Sequence, residues 1–208
     1  MIVAVTGNTG AGKTSVAELF ALWGKGRRID ADRIGREVWE EDEAVRRRIA
    51  GALGPEVTGP DGEVDRFLLG RAVFGDGEKR LAFDRIVQPL LRERIIAEIE
   101  KARGGEERLV VLDAAFLFEW SLQERVDRIV TVIARQETRA RRVAERHRVS
   151  LEEAIRRVES QESESSKAAK ADFVIENNGD RSELEWKARR VWDAIAPGPS
   201  RCARRDAE

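Results

Sequence analysis

Gly7-Asn8-Thr9-Gly10-Ala11-Gly12-Lys13-Thr14 is the stretch whose reading decides the fold. It follows the apolar run Ile2-Val3-Ala4-Val5 and leads into a helix-like segment, Ser15 to Trp23. A glycine-rich turn between a buried strand and a helix is the P-loop arrangement. Its backbone N–H groups point inward around a polyphosphate, and the helix adds the positive end of its dipole. Lys13 is spaced to reach the β- and γ-phosphates, and Thr14 to place its hydroxyl on Mg²⁺. A ligand-free glycine turn is the alternative, but the spacing, the Lys-Thr ending and both flanks favour a nucleotide. Gly7 through Thr14 are therefore the expected triphosphate-binding residues. The motif leaves open what receives the phosphoryl group, or whether water does.

The 208-residue chain is long enough for one α/β core with a small insertion. Charged residues make up 37% but nearly cancel, to a net charge of -1, so no global case for nucleic-acid binding arises. Cys202 is the only cysteine, which excludes an intrachain disulfide and a cysteine-based metal site. The first strand begins at Ile2, leaving no expected signal peptide, and no apolar run approaches a membrane span. These features predict a soluble cytoplasmic protein with no membrane, nucleic-acid or obligate protein partner.

Arg28-Ile29-Asp30 reads as a short second strand, and Leu109 to Asp113, Arg128 to Ala134 and Asp172 to Ile175 hold strands three to five. Short buried strands separated by helices predict a parallel αβα sandwich. The interval from Ile34 to Ala102 is too helical and too long for one crossover, so it reads as a helical insertion. Within it, Ile34 to Leu53 reads as one helix and Gly59-Pro60-Asp61-Gly62 as the turn of a small hairpin. Asp65 is positioned to cap the next helix, running through Val73. Glu78 to Val87 and Leu90 to Ala102 read as separate helices divided at Pro89. Thr138 to Glu145, Leu151 to Lys170 and Ser182 to Ile195 complete the helices, and the tail from residue 197 reads as frayed. Ligands should gather at the carboxyl ends of the strands, near Gly7, Asp32 and Asp113.

Phosphoryl transfer to an alcohol needs a cradle, a metal, an oriented hydroxyl and positive charge. Asp32, just past the second strand, could accept the acceptor's proton. Its alternative role is a helix N-cap before Ile34, while Asp30 is the rival carboxylate with a capping or structural role. Asp113 ends an apolar run in the manner of a Walker B carboxylate and could hold Mg²⁺ through water; a plain strand-end aspartate is the competing reading. Arg139, Arg141, Arg142, Arg146 and Arg148 crowd one segment. Most such arginines form solvated faces, but Arg142 and Arg146 share one face at spacing four and could clamp phosphates in a lid. His147, the single histidine, reads as a surface residue, and no histidine-based metal site can form.

From Ile2 to about Ile195 the chain resembles the dephospho-coenzyme A kinases. The resemblance rests on the P-loop, Ile29-Asp30-Ala31-Asp32, Arg36-Glu37-Val38, Val64-Asp65-Arg66, Val73-Phe74, Pro89-Leu90 and Leu117-Phe118-Glu119. Glu137-Thr138, Arg142, Arg146, Val149-Ser150, Gln161, Lys167 and Ala171 through Gly179, ending in Asn177-Asn178-Gly179, continue it. It implies transfer of the γ-phosphoryl of ATP to the ribose 3′-hydroxyl of dephospho-coenzyme A, with Mg²⁺. Asp32 would be the base, with Lys13 and Arg146 at the phosphates. Arg142, Asn177, Asn178 and Gly179 would border adenine, and Asp32, Arg36, Gln88, Asp113, Phe118 and Glu119 would serve the acceptor. The implied organisation is a P-loop kinase sandwich with a five-stranded parallel sheet. Residues 1–33 and 103–196 would form the nucleotide core, including an arginine-rich lid around 138–165. Residues 34–102 would be the acceptor-binding insertion and 197–208 a flexible tail. The chain departs from the family at Gln88, where histidine is usual before Pro89, at Ala115, where proline is common, and at Asn8-Thr9. Gln88 keeps a hydrogen-bond donor but no charge. The alternatives left by the residues are a nucleoside or nucleoside monophosphate kinase and a P-loop regulatory or degenerate paralogue.

Overall fold

The computed structural model describes residues 1–161 and 163–196, so the expected flexible tail, 197–208, lies outside the described residues. Five parallel strands form the sheet: β1 (Ile2–Thr6), β2 (Arg27–Asp30), β3 (Val110–Asp113), β4 (Arg128–Ile133) and β5 (Phe173–Glu176), in the order β2-β3-β1-β4-β5. β1 sits at the centre with every residue buried, which its unbroken apolar run requires. Its side chains alternate between two cores. Ile2 and Ala4 join Ile29, Ile34, Leu91, Ile95 and Ile99 on one face. Val3 and Val5 join Val16, Phe20, Leu184 and Trp192 on the other. The second face is covered by α1 (Lys13–Gly24) and the last helix, α9 (Arg181–Ile195). The register pairs Asp113 with both Val5 and Asp30, so the P-loop and the carboxylates emerge along one carboxyl edge.

Between β2 and β3 lie α2 (Ala31–Glu40), α3 (Glu43–Leu53), α4 (Arg66–Gly75) and α5 (Gly77–Gly104). Trp39, Val45, Ile49, Leu53, Leu69 and Val87 give this region its own small core. The stretch read as one helix from Ile34 to Leu53 is two helices. Asp42 accepts from Ala44 N and Val45 N and starts a new one, while α2 begins earlier, at Ala31. The expected hairpin is reduced to a single antiparallel bridge, Thr58 to Val64. Asp65 caps α4 as expected, accepting from Phe67 N and Leu68 N.

The division expected at Pro89 is absent, because α5 runs through it for 28 residues. A proline inside a helix removes one N–H bond and costs about 3 kcal/mol. Val87, Leu91, Ile95, Ile99 and Ala102 are buried along the same helix. At roughly 1.5–3 kcal/mol for each large apolar side chain, that burial outweighs the break. After β4, α6 (Gln136–His147) covers the helix expected from Thr138 to Glu145, while the stretch read as one helix from Leu151 to Lys170 is two, α7 (Leu151–Glu159) and α8 (Glu164–Ala169). Ser150 caps α7 through Glu153 N, and Ala140, Val143, Ala154 and Val158 pack α6 onto α7. Among the described residues, no helix is long and apolar enough to cross a membrane.

Candidate active site

The P-loop joins the end of β1 to the start of α1. Gly10 has φ 82°, and a Cβ there would meet the Arg139 carbonyl oxygen at 2.7 Å. Gly12 is the left-handed N-cap of α1, packed against the Asn177 amide. Only glycine suits both positions, because a side chain would be strained and would collide. Lys13 starts α1, is 9% exposed, and places Nζ 3.9 Å from Asp32 Oδ2.

The two candidate carboxylates after β2 separate cleanly. Asp30 is the N-cap of α2, accepting from Arg33 N at 2.9 Å. Asp32 lies in the first turn of the helix, and its half-exposed carboxylate is left facing Lys13. Asp113 is buried at 3% exposure, and Arg28 Nη1 donates to its Oδ2 at 3.0 Å. Arg28 also lies 3.2 Å from Asp30. The second oxygen of Asp113 is buried without a hydrogen-bond partner. Burial pushes the Asp113 carboxyl above the usual carboxylate range. Lys13 and the Thr14 hydroxyl pull it down, and Asp32 and Asp30 add to the rise.

Arg142 stitches the nucleotide loop to the segment after β5. Its Nη1 donates to Gly10 O at 3.3 Å and Asn177 O at 3.1 Å, and its Nη2 to Gly179 O at 3.3 Å. Asn177 completes the seam by donating from Nδ2 to Ala11 O at 2.7 Å. Asn178 turns elsewhere, accepting from Arg135 N. Asn8, Thr9, Gly10, Gly12, Lys13, Thr14, Arg142, Arg146 and His147 line a pocket of about 150 Å³. Arg141 and Arg148 are exposed and belong to the solvated face. Burial, with Arg146 and Arg157 nearby, holds His147 below its ordinary value and so neutral near pH 7.

A second cavity, of about 380 Å³, opens beside Asp32. Arg36 and Gln88 line it with Asp32, together with Trp39, Arg80, Phe83, Phe116 and Trp120. Burial raises the Asp84 carboxyl in its wall, partly offset by Arg80. The structure does not bring Phe118 and Glu119 to this cavity's wall. Phe118 packs on the sheet core, and Glu119 pairs with Lys167 at 2.9 Å. Nor does Asp113 line it; its carboxyl feels Lys13 and Thr14 of the P-loop instead.

Sequence reasoning gave no role to several residues that hold this site. Arg28 orients Asp113, Gln161 accepts from the P-loop N–H of Thr9 at 2.9 Å, and Arg139 is buried against Glu164 at 3.4 Å. For Arg28 the only signal available was its place beside Asp30 at a strand end. Gln161 and Lys167 stood among the resembling positions without an assignable contact.

The family model for dephospho-CoA kinase matches residues 1–183. The chain belongs to the dephospho-CoA kinase family. A dephospho-CoA kinase of Bacillus licheniformis is 33% identical over 193 residues, covering 93% of this chain and 96% of the relative. One from Arabidopsis thaliana is 36% identical over 190 residues, covering 91% of this chain and 82% of the relative. Among solved structures, a Thermus thermophilus protein superimposes with TM-score 0.75 at 32% identity, covering 95% of this chain and 98% of the other. The dephospho-CoA kinase from Campylobacter jejuni gives TM-score 0.66 at 22% identity, covering 93% and 96%. A shikimate kinase from Bacteroides thetaiotaomicron shares the fold alone, at TM-score 0.55 and 16% identity over 94% and 98%. As a member of the dephospho-CoA kinase family the chain is an ATP-dependent kinase, and its sheet and P-loop are those of the P-loop kinases.

Proposed function

We propose that the chain carries out the last step of coenzyme A biosynthesis, with the P-loop taking the ATP phosphates and the Asp32 cavity taking dephospho-coenzyme A. The observation that carries this assignment is the position of Asp32. Its carboxylate is 3.9 Å from Lys13 and also forms part of the wall of the 380 Å³ cavity. A hydroxyl presented from that cavity meets Asp32 on one side and the phosphate cradle on the other.

In this reading Asp32 aligns the ribose 3′-hydroxyl and accepts its proton as the oxygen attacks phosphorus. Lys13, at the positive end of α1, stabilises charge on the transferring phosphoryl. Arg146 adds a guanidinium from the lid of α6 and α7, which also excludes water. Arg142, Asn177 and Gly179 form the wall on the adenine side, with Asn178 holding the chain behind it. Arg36, Gln88 and the aromatic side chains hold the acceptor. The donor set fits Mg²⁺: Asp113 offers an unpartnered buried oxygen close to the Thr14 hydroxyl, and both oxygens are hard ligands. Bound there, Mg²⁺ would supply charge neutralisation for the phosphates. Both reactants are soluble metabolites, which favours a cytoplasmic enzyme.

The test is an acceptor panel combined with hydrogen exchange. Dephospho-coenzyme A should be phosphorylated far faster than AMP or adenosine, and with a non-hydrolysable ATP analogue it should protect the amides of α2 and α5 around the cavity. Equal protection by AMP with faster AMP phosphorylation would make the chain a nucleotide kinase. Absence of transfer to any acceptor would point to a regulatory or degenerate role.

A further inference from the structure

Lys167 on α8 is a charged residue only 2% exposed. A lysine taken that far out of water needs partners for its ammonium. Its hydrogen bond, ion pair and ring contact all lie on the loop following β3. Nζ donates to the Ala115 carbonyl at 2.7 Å, pairs with Glu119 Oε1 at 2.9 Å, and sits 5.7 Å from the centre of the Phe116 ring. The Ala115 carbonyl also accepts from Thr6 Oγ1 at 3.3 Å, at the last residue before the P-loop. Phe116 in turn packs against Trp120 at 5.4 Å, and both rings line the cavity beside Asp32. Lys167 itself lines neither that cavity nor the P-loop pocket.

The other contacts of this stretch reach the nucleotide side. Glu164, on the same short helix, accepts from Ala134 N at 3.2 Å and faces Arg139, whose backbone packs on Gly10. Gln161, just ahead of the helix, holds Thr9 N. These anchors are separate side chains, so removing Lys167 leaves the P-loop supports in place.

We propose that Lys167 is a positioning residue for the acceptor: it clamps the 114–120 loop so that Phe116 and Trp120 form the cavity wall. This rests on the reading of the Asp32 cavity as the acceptor site. Lys167 touches no reacting atom. It acts by fixing a loop that otherwise has to be ordered when the acceptor binds, which weakens apparent affinity.

The experiment measures KM for dephospho-coenzyme A and for ATP in Lys167→Met, Glu119→Gln and Gly35→Leu. Methionine keeps the length and apolar stem of lysine while removing the ammonium. Lys167→Met should raise the acceptor KM by about ten- to a hundredfold, the range for a lost charge-assisted hydrogen bond, with ATP KM within about twofold. Glu119→Gln should shift the acceptor KM in the same direction by less, since the amide oxygen still accepts. It decides the matter if Lys167→Met does not fold. An unchanged acceptor KM in the folded variants, or a parallel rise in both KM values, overturns the proposal. Gly35 lines the cavity, and a Cβ there makes only ordinary contact with Leu91 at 3.5 Å. Gly35→Leu therefore fills the cavity without disturbing Lys167. A raised acceptor KM there with no Lys167 effect overturns the clamp alone. An unchanged one overturns the cavity reading and the clamp with it.

Discussion

Asp32→Asn separates two roles that the geometry allows for this carboxylate, counter-ion of Lys13 or partner of the attacking hydroxyl. At 3.9 Å a pair of unit charges is worth about 1 kcal/mol in water and about 4 kcal/mol at an effective dielectric constant of 20. The Asp32 side chain is 55% exposed, so the lower figure applies and solvent screens the pair. As a counter-ion alone, its loss costs about fivefold in rate. Loss of a general base costs roughly 10²–10⁴-fold. A loose transition state makes less use of the base, so part of the loss would be lost alignment. Asparagine keeps the size and the helical first-turn position, and Asp30 still caps α2. Single-turnover transfer at saturating ATP and acceptor, with ATP binding and melting temperature measured beside it, reads the difference. The expected result is a chemical step slowed at least a hundredfold with ATP binding and melting near wild type. A fivefold loss, or a crippled Asp30→Asn beside a competent Asp32→Asn, would refute the reasoning.

Lys13→Ala should abolish transfer while leaving the fold intact, and near-wild-type turnover at saturating ATP and Mg²⁺ would count against the site. Asp113→Asn should lower activity yet raise the melting temperature of the ligand-free protein at pH 7. Burial raises the Asp113 carboxyl, so the folded state binds its proton more tightly than the unfolded chain does. Wild type is therefore penalised above the raised value and recovers as pH falls toward the ordinary one, so the stability gap should narrow on acidification; a constant gap would contradict this. Arg146→Lys should slow transfer and increase ATP hydrolysis without acceptor, because one ammonium cannot replace a planar fork over the phosphates. Unchanged kinetics would return Arg146 to the solvated face. Gln88→His should retain transfer and tighten acceptor binding, as read from its KM; lost transfer would show that Gln88 is not interchangeable with histidine.

The core was legible where one residue type had only one physical use. Ile2 to Val5 can be little else than a strand covered on both faces, and Gly10 and Gly12 adopt backbone angles that side chains resist. Legibility failed at Pro89, where a local helix-breaking preference opposed burial along α5 that depends on distant partners. It failed again at Asp42 and after Glu159, where side-chain caps and short breaks divide helices that periodicity alone joins.

The same boundary runs through the site. Local spacing by itself determined the phosphate loop, the alternation of five strands with helical stretches, and the carboxylates Asp30, Asp32 and Asp113, because turn geometry and apolar periodicity act over a few residues. Which of Asp30 and Asp32 is free to meet Lys13 was decided only by folding: the cap on α2 engages Asp30 and turns Asp32 outward to the cavity. Arg28 on Asp113, Arg142 across the seam to Asn177, and Lys167 on the Ala115 carbonyl were decided the same way. Those contacts span 85, 35 and 52 residues of chain. Their existence follows from strand register and helix packing, which set the distance between charges that no neighbouring sequence encodes.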